Sequence, residues 1–131
     1  MKLDSPEILL HKAADDLKLL LLMDTQRVGT DEQFGFSTQQ AVEKALKSVL
    51  RRHAIDYPWT HDLTRLLFLL DQNGLPVSPL LRESDLYTSF AVRFRYEDLP
   101  EADASALPFD RKHALGVATL AVEWATSFIK T

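Results

Sequence analysis

The chain has 131 residues, no cysteine and a formal net charge of −4. We expect one domain spanning residues 1–131, since a chain of this length buries a core without a disulfide or metal staple. The lack of cysteine excludes disulfides, thiolate metal sites and a cysteine nucleophile. With no apolar run near the roughly 18 residues of a membrane span and no signal-peptide layout, we expect a cytoplasmic protein without membrane contact.

Glycine and proline are sparse and lie between long periodic segments, which predicts helices and no strands. The first helix is expected to begin at Ser5-Pro6, because serine is a good N-cap and proline suits the first helical position. It should end near Asp24. Residues 25–35 include two of the four glycines and predict a loop before a second helix over 36–53.

A turn follows the second helix, and Thr60 is the expected N-cap of a short third helix that ends near Gly74. Ser78 followed by Pro79 repeats the cap-plus-proline pattern. It predicts one continuous fourth helix to about residue 96, followed by an acidic loop.

Asp110 is the expected N-cap of a fifth helix that runs to about residue 130. Five helices with short connections predict an all-α, antiparallel four- to five-helix up-and-down bundle. The first and last helices are apolar over a wider arc than one packing face requires. A homodimer would cover the excess, unless the bundle covers both faces internally. The expected dimer-interface residues are Gln39, Leu22, Leu120 and Trp124.

The second helix carries a stripe of polar residues on the arc opposite its apolar face. These residues are Gln40, Lys44, Lys47 and Arg51. They predict a basic face that attracts anions, although a solvated helix face is the plainer interpretation. Gln39 falls on the apolar side within reach of Glu43. Its amide is therefore paired inside the bundle or faces a partner subunit, because an unpaired buried amide costs about 1–3 kcal/mol.

Residues 36–47 read Phe-Ser-Thr-Gln-Gln-Ala-Val-Glu-Lys-Ala-Leu-Lys, and His61-Asp62-Leu63 and Arg95-Tyr96 follow in that order. This series resembles the HEPN domain family, in the branch with a Phe-His-x-Gln-Gln-Ala-x-Glu-Lys-x-Leu-Lys helix, a His-x-Leu segment and an Arg-Tyr-Pro element. Ser37 and Glu97 depart from the pattern, which has His and Pro there.

The resemblance implies a helical bundle that is usually a homodimer. It also implies a small nucleotidyltransferase partner, in a toxin–antitoxin-like pair, and binding of a nucleotide or RNA. HEPN domains that cleave RNA carry an Arg followed four to six residues later by a His, and no arginine here is followed by a histidine at that spacing. Such chemistry needs a cation on the phosphate and an imidazole to move the proton. We therefore expect a binding module that needs no cofactor. The alternatives are an unconventional metal-independent ribonuclease using His61 and Arg95, and a purely structural dimeric domain.

The expected nucleotide- or anion-binding residues are Gln40, Glu43, Lys44, Lys47, Arg51, His61, Arg95 and Tyr96. Arg95 suits an anion and Tyr96 suits a stacked base, or they pair with neighbouring acids and close the core. His61 contacts the ligand, or else caps or packs at its helix start.

The remaining histidines do not predict a site. His53 is expected in the core, and His11 and His113 are expected to be isolated at the surface. No metal site is expected, because no His-x-x-x-His or Glu-x-x-His pair lies on a helix face.

Overall fold

The structure is a computed structural model that describes residues 4–95 and 109–129, with the backbone alone for residues 92–95. Within those ranges every regular element is a helix, which confirms the predicted all-α class. The helices are α1 (Pro6–Gln26), α2 (Asp31–Arg52), α3 (Leu63–Gln72), α4 (Pro79–Arg82), a 3₁₀ helix (Glu83–Tyr87), α5 (Thr88–Arg95) and α6 (Arg111–Ile129).

Helix α1 begins where the sequence predicts, with Ser5 as its N-cap. Helix α2 begins at Asp31, so the predicted loop over residues 25–35 is wrong beyond residue 30. The reason is a capping box. The Thr30 hydroxyl accepts from the Gln33 backbone N–H at 3.0 Å, and the Gln33 side chain accepts from the Thr30 N–H at 2.7 Å.

Helix α3 is capped by Asp62 rather than by the predicted Thr60, because the Asp62 carboxylate accepts from the Thr64 N–H at 3.0 Å. Gly74 follows α3 with a φ of 69°, as expected of a stop. The N–H of Leu63, the first residue of α3, donates to the Thr88 hydroxyl at 3.1 Å.

The predicted continuous fourth helix is wrong, because a 3₁₀ helix over Glu83–Tyr87 interrupts it. Side chains three residues apart align in a 3₁₀ helix. Ser84 and Tyr87 have that spacing, and both are buried. The interruption thus turns two side chains inward and brings Thr88 to the start of α3.

Helix α2 is the central element and packs against α1, α3, α5 and α6. Its aliphatic face is fully buried, including Leu46, Val49 and Leu50. Because neighbours surround it on several sides, polar residues of α2 are also taken out of water. Among the described residues, no helix combines the length and apolar composition that crossing a membrane requires.

Candidate functional site

A buried polar network is built around Glu43 on α2. Glu43 is only 4% exposed. One of its oxygens accepts from the Gln39 amide at 2.8 Å and contacts His61 Nδ1 at 2.8 Å, and the other accepts from Lys47 Nζ at 3.0 Å. Because an ionised carboxylate only accepts, this geometry assigns the ring proton of His61 to Nδ1.

Gln39 is fully buried and makes every contact inside the chain. Its amide nitrogen donates to Glu43, as the sequence predicts, and to the backbone carbonyl of His61 at 2.9 Å. Its carbonyl oxygen accepts from the Gln40 amide at 2.7 Å. Of the two alternatives, the structure therefore selects pairing within the bundle, which removes Gln39 from any surface open to a second copy.

The polar stripe on α2 is not the open basic face that the sequence predicts. Lys44 Nζ donates to Asp16 of α1 at 2.7 Å, and Lys47, only 7% exposed, is paired with Glu43. The prediction failed because α1 and the turn after α2 cover this arc. Lys44 is neutralised by Asp16 of α1, and Lys47 by Glu43 of α2 itself.

Arg51 differs from the two lysines. Its guanidinium donates to the Tyr57 hydroxyl at 2.7 Å and lies 5.3 Å from the centre of the same ring. No carboxylate pairs with it within the described residues, where its buried Nε also finds no hydrogen-bond acceptor. Arg51 is thus the cation of the stripe whose charge is left uncompensated in the described part of the chain.

Two aromatic residues of the turn between α2 and α3 complete the site. Lys47 Nζ lies 5.5 Å from the ring centres of both Tyr57 and Trp59. Trp59 meets the His61 ring edge to face at 5.7 Å and is 88% exposed. Neither residue was predicted from the sequence as part of the site. The available signal was a Tyr-Pro-Trp series in a polar turn directly before the His61 motif.

The fold and these motif residues can be set against known families. A family model of the HEPN domain matches residues 7–129. The chain belongs to the HEPN domain family. This confirms the resemblance drawn from the motifs. A comparison with curated proteins and one with solved structures each found no match.

Two predicted site residues of this HEPN domain remain predictions. Arg95 ends α5, but its side chain is outside the described residues, as is all of Tyr96. The acidic loop after Tyr96 is outside them too. The site that the structure brings together therefore consists of Gln39, Gln40, Glu43, Lys47, Arg51, Tyr57, Trp59 and His61.

Two of the other histidine predictions need correction. His53 is exposed rather than in the core, because it is the C-cap of α2, where the helix ends. His113 is not isolated, since it contacts the Tyr87 hydroxyl through Nδ1 and Glu83 through Nε2 at 3.0 Å. His11 lies at the surface as expected, beside Asp15.

The contact with His113 belongs to a partly polar corner between the 3₁₀ helix and α6. Burial raises the pKa of Tyr87 to about 12, and the negative charges of Asp110 and Glu83 act in the same direction. The phenol is therefore a neutral hydroxyl at physiological pH. No group of three His, Asp or Glu suited to a metal ion occurs within the described ranges.

The other expected dimer residues of the HEPN domain differ in exposure. Leu22 on α1 is 57% exposed. Leu120 and Trp124 on α6 pack against the core, and the Trp124 indole donates to the Pro76 carbonyl at 2.9 Å. The bundle thus covers part of the apolar excess of α6 internally.

Proposed function

We propose that this HEPN domain is a binding module for a nucleotide or RNA, and that Arg51 meets the phosphate. The observation that carries the proposal is the contrast among three cations of α2. Lys44 and Lys47 are paired with carboxylates, whereas Arg51 has no such partner in the described part of the chain.

The surroundings of Arg51 support this role. Tyr57 holds the guanidinium by a hydrogen bond and by ring contact, so the group is already oriented. A guanidinium also presents several N–H groups in a fork that matches phosphate, so the residue type fits the ligand.

The test is a titration with a fluorescein-labelled 12-nucleotide single-stranded RNA over a series of salt concentrations. Arg51→Gln should weaken binding about tenfold, the effect of losing a charged hydrogen bond. It should also flatten the slope of log affinity against log salt by roughly 0.7, as expected for one lost contact to a single strand.

Lys18→Gln is the matched control, because Lys18 is an exposed cation of α1 remote in sequence from the site. It should leave both quantities unchanged. Wild-type affinity in the Arg51→Gln protein, or a wild-type protein that binds no RNA at low salt, would overturn the proposal.

A ribonuclease is the second candidate, and the Glu43–His61 contact at 2.8 Å is the observation that favours it. A carboxylate that holds the proton on Nδ1 orients an imidazole for proton transfer through its other nitrogen. Arg95 is the proposed phosphate contact in that reaction. Turnover of the labelled RNA that disappears in His61→Ala would select this candidate over simple binding.

Membership of the HEPN family also suggests how this protein assembles with other chains. We propose a homodimer and a small nucleotidyltransferase partner, as in a cytoplasmic toxin–antitoxin-like pair. The half-exposed leucines of α1, Leu19 and Leu22, support a protein contact on that helix. Recovery of the protein from its native cell at low salt, followed by mass measurement, tests the partner. A purely structural role would instead give a partner-free protein without affinity for nucleotides.

A further inference from the structure

The Trp59 side chain is largely exposed to water, which is unfavourable for so large an apolar surface. Burying a large apolar side chain is worth about 1.5–3 kcal/mol, and tryptophan is highly buried on average. In the same turn, Ile55 and Tyr57 pack against the core, whereas Trp59 stays 88% exposed. The indole is therefore held out at a place where the neighbouring side chains turn inward.

The two residues that contact Trp59, His61 and Lys47, are held in place by the buried polar network. His61, at 5.7 Å from the indole, is held through its ring by Glu43 and through its carbonyl by Gln39. Lys47, whose ammonium contacts the Trp59 ring, donates to the second oxygen of Glu43. Because both supports belong to the buried network, the indole is attached to a preorganised base rather than to a loose turn.

Rings and cations alternate from Arg51 to the exposed Trp59, with the buried Lys47 between the two rings. Arg51 contacts Tyr57, Tyr57 contacts Lys47, and Lys47 contacts Trp59, each at 5.3–5.5 Å between the charged group and the ring centre. An exposed aromatic face beside cations is how proteins bind single-stranded nucleic acid, with the base on the ring and the phosphate on the cation.

The surroundings favour a base over a protein partner. A protein hot spot lies at the centre of a well-packed patch, with charged residues depleted around it. The exposed chain neighbours of Trp59 include the acids Asp56 and Asp62, whose carboxylates can accept from the amino group of a base but repel a phosphate, which is therefore assigned to Arg51. A base needs only the ring face, and its polar edges remain free to meet water or these side chains.

We propose that Trp59 stacks on an unpaired base, so that the ligand is a free nucleotide or single-stranded RNA and not a duplex. This inference rests on the proposed function and assigns the base position beside the phosphate contact at Arg51. Duplex RNA is excluded because its bases are already stacked on one another, whereas single strands offer bases that stack on aromatic side chains.

The experiment compares Trp59→Ala and Trp59→Phe with wild type. The probes are a labelled 12-nucleotide oligoadenylate, its duplex with oligouridylate, AMP and inorganic polyphosphate. Wild type should bind the single strand more tightly than the duplex. Trp59→Ala should weaken single-strand binding about five- to a hundredfold, the range for one stacked base, and Trp59→Phe should recover most of it.

Phe68→Ala is the matched control, because Phe68 is an exposed aromatic residue on α3, away from this turn in sequence. The Phe68→Ala protein should bind the single strand with the affinity of wild type. Quenching of tryptophan emission by oligoadenylate should be lost in Trp59→Phe, which retains Trp124 as the chain's other tryptophan. Quenching by AMP as well would assign a free nucleotide, and quenching by the oligomer alone would assign RNA.

The outcomes separate this inference from the proposed function. If Trp59→Ala binds RNA like wild type while Arg51→Gln does not, the stacking role is wrong and the phosphate role stands. If polyphosphate displaces the labelled RNA while AMP and oligoadenylate leave tryptophan emission unquenched, the base does not contact Trp59 and the inference is wrong. If wild type binds none of the probes, both proposals are overturned.

Discussion

Among single residues, Glu43 has the largest consequence for this HEPN domain. Its carboxylate joins Gln39, Lys47 and His61, all of which approach it within 3.0 Å. A buried ion pair is weak evidence for net stability, because desolvation offsets much of the attraction. Removal of one partner is different, since it leaves an uncompensated buried charge.

We expect Glu43→Gln to lower the free energy of unfolding by about 3 kcal/mol, because it strands the Lys47 ammonium in the interior. The double variant Glu43→Gln/Lys47→Met should recover much of that loss, since methionine keeps the volume and removes the charge. Urea denaturation followed by circular dichroism measures both.

Glu32→Gln serves as the control, because Glu32 is an exposed acid in the first turn of α2. A Glu43→Gln protein as stable as the control would show that the network is not an energetic unit. So would a double variant no more stable than the single one.

At the level of the helices, two glycines illustrate how neighbours override propensity. Gly35 in α2 and Gly116 in α6 both lie inside helices, where glycine is about 1 kcal/mol worse than alanine. A Cβ at Gly116 meets no atom within 4 Å, whereas a Cβ at Gly35 would lie 2.4 Å from the Phe90 ring of α5. Substitution by alanine should therefore change the free energy of unfolding in opposite directions at the two positions.

We expect Gly116→Ala to raise the free energy of unfolding by up to about 1 kcal/mol, through the lower backbone entropy of the unfolded chain. We expect Gly35→Ala to lower it by about 1–3 kcal/mol, the usual range for overpacking. Thermal and urea denaturation of the two variants, side by side, provide the measurement. A stabilised Gly35→Ala protein would mean that α5 does not pack on α2 as closely as described.

For the chain as a whole, the arrangement around α2 decides which surfaces are left for partners. The aliphatic face, the polar network and two of the stripe's cations are all used inside the bundle. On α1, Leu19 and Leu22 lie three residues apart, which places them on one side of the helix, and both are exposed. This side of α1 is the surface that the proposed homodimer would cover.

We expect Leu22→Lys to convert the proposed dimer to a monomer that still folds, because the side chain is 57% exposed and contributes little to the core. Leu86→Lys is the control, since Leu86 is 64% exposed on the 3₁₀ helix, outside this face. Sedimentation velocity at several concentrations distinguishes the two species. A dimeric Leu22→Lys protein would place the interface elsewhere, and a monomeric wild type would remove the dimer.

The features that the sequence allowed us to predict are local ones. The all-helical class, the Ser5 cap, the Gly74 stop and the contact of Gln39 with Glu43 depend on residues at most four positions apart. Periodicity, capping and i,i+4 spacing act over that distance, so they leave a mark in the sequence. The HEPN motif added a family differently, through the identity and order of residues 36–47, His61-Asp62-Leu63 and Arg95-Tyr96 along the chain.

The features that required the fold connect residues distant in sequence. Lys44 is neutralised by Asp16, which lies 28 positions away, and Leu63 is tied to Thr88, which lies 25 positions away. Helical spacing shows which residues share a face but not which helix packs over that face. The charge of Lys44 in the predicted basic stripe was therefore lost to α1, whereas Lys47 lost its charge to Glu43 within α2. Arg51 was separated from the two lysines, and Trp59 was added to the site, only when burial and pairing were known for these described residues.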